Sequence, residues 1–246
     1  MSRPHGAGLV LVVLLVLGAL GWCAVLGFVL GVDPMAALEI GTAALVIPWS
    51  AIALRELVAS HRVAAALAIG AYPVELFGVR CLATPGLGAD ALVVGAIRPR
   101  IYIGESLLDA LTDEELMAVV YHEDHHCRVL APLRAAGLSA WLPMFGRFER
   151  VRRLVGARLA DLEAFADADA IQRGSTPQTI ARALLKSDQR QRGVAFSSMS
   201  GLRVEALLAR ADGSGTAGPG VLPYEWLPIA LLSGVAVVCH VGLFGT

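Results

Sequence analysis

Charge is scarce in this chain. Of its 246 residues 17% are Asp, Glu, Lys or Arg, while 56% are hydrophobic, a balance too apolar for an ordinary soluble domain and one that puts part of the chain in lipid. The net charge of −1 argues against a general nucleic-acid surface. Basic residues are missing from long stretches: 19 of the 20 Lys and Arg lie between Arg55 and Arg210, and the other is Arg3. Cysteine is sparse, and the four present, Cys23, Cys81, Cys127 and Cys239, show no paired spacing, which argues against a disulfide framework. No internal repeat is visible, so a solenoid is not indicated.

The apolar residues gather in runs. Residues 9–32 form a run long enough to span a bilayer, and without a small-residue cleavage signal it reads as an anchor. A second span follows at 35–54 after the tight connection Asp33-Pro34, so residues 1–54 read as a transmembrane hairpin. A third lies at 226–244, within a C-terminal segment 224–246 in which Tyr224 and Trp226 are interfacial anchors. The turn between the first two spans has no Lys or Arg. The positive-inside rule therefore places the N-terminus and the central domain, 55–210, in the cytoplasm, and the C-terminus outside. Residues 211–223, rich in Gly, are a flexible linker.

Within the central domain, His122-Glu123-Asp124-His125-His126 contains H-E-x-x-H, a pattern that chance would supply in under about one chain in a hundred of this length. Leu111-Thr112-Asp113-Glu114-Glu115-Leu116 reads as a helix start, with Thr112 and Glu115 forming a capping box, so the motif lies on a helix. His122 and His126, four apart, then share a face and can reach one metal ion, while Glu123 can accept a proton from a metal-activated water. His125 and Cys127 lie off that face. Catalytic zinc commonly takes three protein ligands. Glu163 is the best candidate for the third, with Asp167 one turn later to hold a ligand histidine by its second ring nitrogen; a solvated acidic helix face is the alternative. Asp161 and Asp169 read as surface charges.

H-E-x-x-H followed by E-x-x-A-D, here Glu163 to Asp167, resembles the integral-membrane gluzincins: the BlaR/MecR-like metallopeptidases and the related HtpX and CAAX prenyl protease group. Pro99-Arg100-Ile101-Tyr102-Ile103-Gly104, ahead of Leu107-Leu108, resembles the strand that precedes their zinc helix, and Gly201-Leu202-Arg203-Val204-Glu205-Ala206-Leu207-Leu208 resembles a segment of the BlaR/MecR branch. The resemblance covers residues 90 to 210. It implies zinc on His122, His126 and Glu163, catalysis by Glu123, and a transcriptional repressor as the protein substrate. Two departures stand out. Ala131 occupies the place, five residues after the second ligand histidine, where the family often has Asp, and the large penicillin-binding sensor of the receptors does not follow the last span.

Residues 129–145 are apolar enough for another span, but a single crossing would separate His126 from Glu163. A membrane-dipping helical hairpin over 129–148, turning near Gly137 or Pro143, avoids this; its return through Arg147, Arg150, Arg152 and Arg153 suits anionic headgroups, and a buried core helix is the alternative. Residues 91–95 and 100–103 read as strands. Ala91, Leu92, Val93 and Val94 are the candidate edge for binding an extended substrate, against the alternative of an inner strand. Arg203, through the family-like segment, and Tyr102 are candidates to stabilise the transition state.

The fold expected is thus mainly α, α+β, with transmembrane helices and a gluzincin-type metallopeptidase domain bearing a small sheet. Two functions compete. One is a membrane-embedded zinc endopeptidase, the other a zinc-stabilised membrane adaptor that signals without cutting.

Overall fold

The computed structural model describes residues 31 and 33–190. The predicted span at 9–32 apart from residue 31, the linker at 211–223, the span at 226–244 and Arg203 lie outside the described residues.

The chain enters on a single helix, α1 (Pro34–Leu67), whose start is capped by the Asp33 carboxylate accepting the Ala36 N–H at 3.3 Å. The predicted second span ends at residue 54, but the helix continues through Arg55, Glu56, His61 and Arg62, residues that interrupt an apolar pattern without breaking a helix. Its stretch Ile40–Leu67, 28 residues of mean hydropathy 1.4, is long and apolar enough to cross a membrane. Ile40, Ile47 and Leu54 are well exposed along it. The described residues divide between Ile52 and Ala53 into two compact units, the first being the N-terminal part of α1.

The second unit carries a four-stranded mixed sheet. Strands β1 (Tyr72–Leu76) and β2 (Val79–Thr84) form a hairpin whose two turn residues, Phe77 and Gly78, both have positive φ (51° and 77°), the geometry of a two-residue turn that matches strand twist. Strand β4 (Arg100–Gly104) runs parallel to β2 and antiparallel to β3 (Ala91–Val94), giving the order β1-β2-β4-β3. β3 is therefore a terminal strand. Gly104 closes β4 where the chain passes itself: a Cβ there would lie 1.8 Å from the Gly88 carbonyl oxygen, so only glycine fits.

One sheet face is covered by helix α3 (Asp113–Arg128), which follows the short α2 (Glu105–Leu108). Ile101, Ile103, Cys81 and Val79 pack there with Leu107, Leu116 and Val120. The other face packs Tyr102 and Val94 against Leu67 at the end of α1. Alternation along β4 thus sends Ile101 and Ile103 toward the H-E-x-x-H helix and Tyr102 away from it.

After α3 the chain forms α4 (Ala131–Ser139), α5 (Trp141–Phe145), α6 (Glu149–Gln172) and α7 (Pro177–Arg190). The apolar run at 129–145 is two short helices. It turns at Leu130, whose φ of 54° is left-handed, and again at Ala140 and Gly146. Gly137 and Pro143, the expected turning points, both sit inside helices: Pro132 is suited to the first turn of α4, and Pro143 falls in the first turn of α5. Leu138 of α4 packs on Val155 and Leu162 of α6, with Trp141 and Leu142 alongside.

Candidate metal centre

The H-E-x-x-H helix begins as its sequence implies. The Thr112 hydroxyl accepts the Glu115 N–H at 3.4 Å, and the Glu115 carboxylate accepts the Thr112 N–H at 3.0 Å. Lys186 of α7 reaches the same carboxylate at 2.6 Å, tying the first turn of α3 to a third helix. Burial pushes the Glu115 pKa up, but its partners Lys186, Thr112 and Arg182 outweigh this and hold it below the ordinary carboxylate value.

Ten residues later the helix turns His122 and His126 to one side, both buried, with their Nε2 atoms 3.0 Å apart. α6 lies across that side and brings Glu163 to them: Oε2 is 3.4 Å from His122 Nε2, and Oε1 is 3.4 Å from His126 Nε2. Ligand bonds of about 2.0–2.1 Å arranged tetrahedrally leave donor atoms about 3.3 Å apart, so these spacings fit one zinc-sized ion. Four residues on, Asp167 lies 2.9 Å from His122 Nδ1. With the ring proton on Nδ1 and donated to Asp167, His122 Nε2 presents its lone pair to the cluster. His126 lacks that support. Its Nδ1 is buried without a hydrogen-bond partner among the described residues, and Ala131, where the resembled family often has Asp, offers none.

Glu123 is partly open to solvent as a residue, while its carboxyl is surrounded by protein. Loss of water is the main cause that raises its pKa; His122 and His126 pull it down, and Glu163 and Asp90 push it further up. A carboxylate with a raised pKa beside two imidazoles that could hold a metal is a better proton acceptor than an ordinary one.

Around this centre an ion-pair network clamps α3 to α6. Arg128 bonds Asp124 at 3.1 Å and also Asp169, while Arg173 bonds Asp124 at 2.6 Å and stacks 3.8 Å above the Tyr121 ring. Asp169, expected at the surface as a solvated charge, is half-buried in this network; the i,i+4 spacings of Asp124 with Arg128 and of Asp169 with Arg173 are its sequence signals. Asp161 pairs with Arg158 at 3.4 Å on α6 itself.

Other predicted positions separate from the centre. The Tyr102 hydroxyl donates to the Ala64 carbonyl at 3.3 Å on the far side of the sheet, which removes it as a transition-state stabiliser. Cys127 packs against the core cluster under α3 and is not among the side chains that converge on the centre; burial pushes its thiol up to about 12. His125 lies against Asp169, 3.6 Å from its carboxylate.

β3, the predicted substrate strand, is an edge and packs beside α3. The Gly104 N–H bonds the Asp90 carbonyl at 2.9 Å, which sets the ladder's alternation: Leu92 and Val94 turn their peptide groups toward β4, and Ala91 and Val93 turn theirs to the open edge. The Asp90 carboxylate takes the Ala91 N–H at 2.9 Å. The Ala91 carbonyl and both Val93 groups remain on the edge for a further strand.

Replacing Asp167 by Asn should leave the fold in place and weaken zinc binding by roughly 10–100-fold, as expected when a ligand histidine loses its carboxylate support. Competition against a chromogenic chelator measures it. Comparison with protein-family models, curated proteins and solved structures finds no match for this chain.

Proposed function

We propose that this chain is a membrane-embedded zinc endopeptidase of the BlaR/MecR-like kind, cutting a protein substrate, a transcriptional repressor being the substrate which that resemblance implies. The observation that carries the reading is the convergence of His122, His126 and Glu163, whose donor atoms all lie within 4.8 Å of one another, next to Glu123 on the same helix. The donor set matches a hydrolytic zinc site with one coordination position left for water or substrate. Bound there, zinc would activate a water and polarise the scissile carbonyl.

The chain's own residues supply the rest. His122, held by Asp167, fixes the direction from which the ion is bound. Glu123 accepts the water's proton and returns it to the leaving amine, the two transfers peptide hydrolysis requires. The Val93 peptide groups and the Ala91 carbonyl align an extended substrate along β3. In this reading the hairpin at 1–54 and the helix at 224–246 make the protein multi-pass, with the peptidase domain on the cytoplasmic side.

The test uses the full-length chain in detergent with one equivalent of zinc and an unfolded protein as substrate. Cleavage should stop on chelation and return on adding zinc. Cleavage that survives complete removal of metal, or none at any zinc level, would overturn the proposal.

A further inference from the structure

The sheet lies along α1, and three hydrogen bonds fix which end is which. The Gly95 N–H donates to Ser60 Oγ at 3.5 Å, the Tyr102 hydroxyl to the Ala64 carbonyl at 3.3 Å, and the Thr84 hydroxyl to the Leu67 carbonyl at 3.1 Å. Tyr102 pairs with Leu92, and Thr84 pairs with Gly104, which bonds Asp90. Passing along α1 from Ser60 through Ala64 to Leu67 therefore means passing along β3 from Gly95 through Leu92 to Asp90. The β3–β4 turn points toward Ala53, where α1 enters this unit, and the Asp90 end points away from it.

That turn is built unusually for solvent. Ile97 at its tip is 82% exposed, and the exposed Arg98 and Arg100 follow it. The β1–β2 turn shares this end of the sheet, since β2 runs parallel to β4, and it carries Phe77 at 39% exposure. Along α1 the first charged residues after the apolar run are Arg55 and Glu56. Ser60 is about 8 Å beyond Arg55 at the helical rise, and Ile97 can reach up to about 7 Å back from Gly95, so the tip comes level with the start of these charges. A helix that crosses a bilayer changes from apolar to charged at the headgroups.

We propose that the β3–β4 turn docks on the anionic headgroup surface of the membrane that α1 enters, Ile97 inserting and Arg98 and Arg100 meeting phosphates. Apolar insertion flanked by arginine is the chemistry of a lipid interface, and each arginine adds attraction to anionic lipid. Resting on the peptidase reading, a second consequence follows. β3 then leads from the headgroups to Asp90, about 17 Å at strand rise, so the substrate presented to Glu123 is the juxtamembrane stretch of a membrane-anchored protein.

The test places the full-length chain in nanodiscs of mixed zwitterionic and anionic lipid. An environment-sensitive fluorophore is attached at Ile97→Cys or, as control, at Ser106→Cys, an exposed position at the opposite end of the sheet, with the unsubstituted chain treated alike as blank. Lipids carrying a quencher near the headgroup should quench position 97 at least severalfold more than position 106. Arg98→Glu with Arg100→Glu should reduce that quenching, as should purely zwitterionic lipid. Equal quenching at 97 and 106 overturns the docking. In the second arm, a peptide tethered to the nanodisc by a lipid anchor should be cut faster than the same peptide free in solution, and Ile97→Asp should abolish the difference while retaining zinc and cleavage of the free peptide. An equal rate for tethered and free peptide overturns the substrate assignment. Quenching at 97 with neither peptide cut leaves the docking standing and removes the peptidase reading.

Discussion

Glu123→Gln should keep its zinc and lose its hydrolysis, by on the order of 10²–10⁴-fold in kcat. The metal stays because Glu123 is not among the three donors that converge, and Gln has nearly the same shape. The rate falls because an amide can neither accept the proton from water nor pass it to the leaving amine. Zinc content by elemental analysis and cleavage of an unfolded protein, measured on the same preparation, give the two readouts. In cells the variant should accumulate an uncut protein, found by comparing membrane and cytoplasmic fractions with the parent. The result also decides between peptidase and adaptor, since an adaptor's signalling requires the metal-bound fold and not the base. Identical cleavage and identical cellular response in parent and variant would make the zinc site structural.

What the sequence disclosed of this site was local. The capping box at Thr112 and Glu115 acts within one turn, and four-residue spacing on a helix is enough to put His122 and His126 together. The meeting of α3 with α6, some forty residues away, is a tertiary event; residue chemistry and family likeness pointed to Glu163 and Asp167, and the packing brings their carboxylates to the imidazoles. Where tertiary contacts compete with local pattern, the sequence is a poorer guide. Tyr102 looked available because alternation alone does not say which sheet face meets α3. Asp169 reads as solvated because Arg128, its closer partner, comes from another helix, whereas Arg173 is only a one-turn neighbour of the kind common on exposed faces. The continuation of α1 past Arg55 was hidden by charges that end an apolar run without ending a helix. β1 and β2 were missed altogether. Their signal was the alternation of Val74, Leu76, Val79 and Cys81 around the Phe77-Gly78 turn, which is weak because phenylalanine seldom adopts positive φ. In place that ring packs edge-on against Tyr121, 6.5 Å between centroids, a contact that helps to hold the turn.

His122→Ala and His126→Ala should each strip the metal, lowering zinc affinity by more than the roughly 100-fold expected for loss of a supporting contact, because each removes a donor outright. The two need not be equal. His122 is held by Asp167, so its deletion also leaves a buried carboxylate without its imidazole, and this variant should lose thermal stability even without zinc. His126 has no such partner at Nδ1, and its deletion should cost mainly the metal. Melting the full-length chain in detergent with and without zinc separates the two effects: at free zinc about 100-fold above its Kd, the parent should gain roughly 2.7 kcal/mol of stability, and neither variant should gain measurably. Glu163→Ala completes the series, since its two oxygens face both imidazoles at 3.4 Å. Full zinc occupancy in that variant alone would remove only the third ligand from the assignment, whereas full occupancy in both histidine variants would remove the site, and with it the chemistry proposed for Glu123.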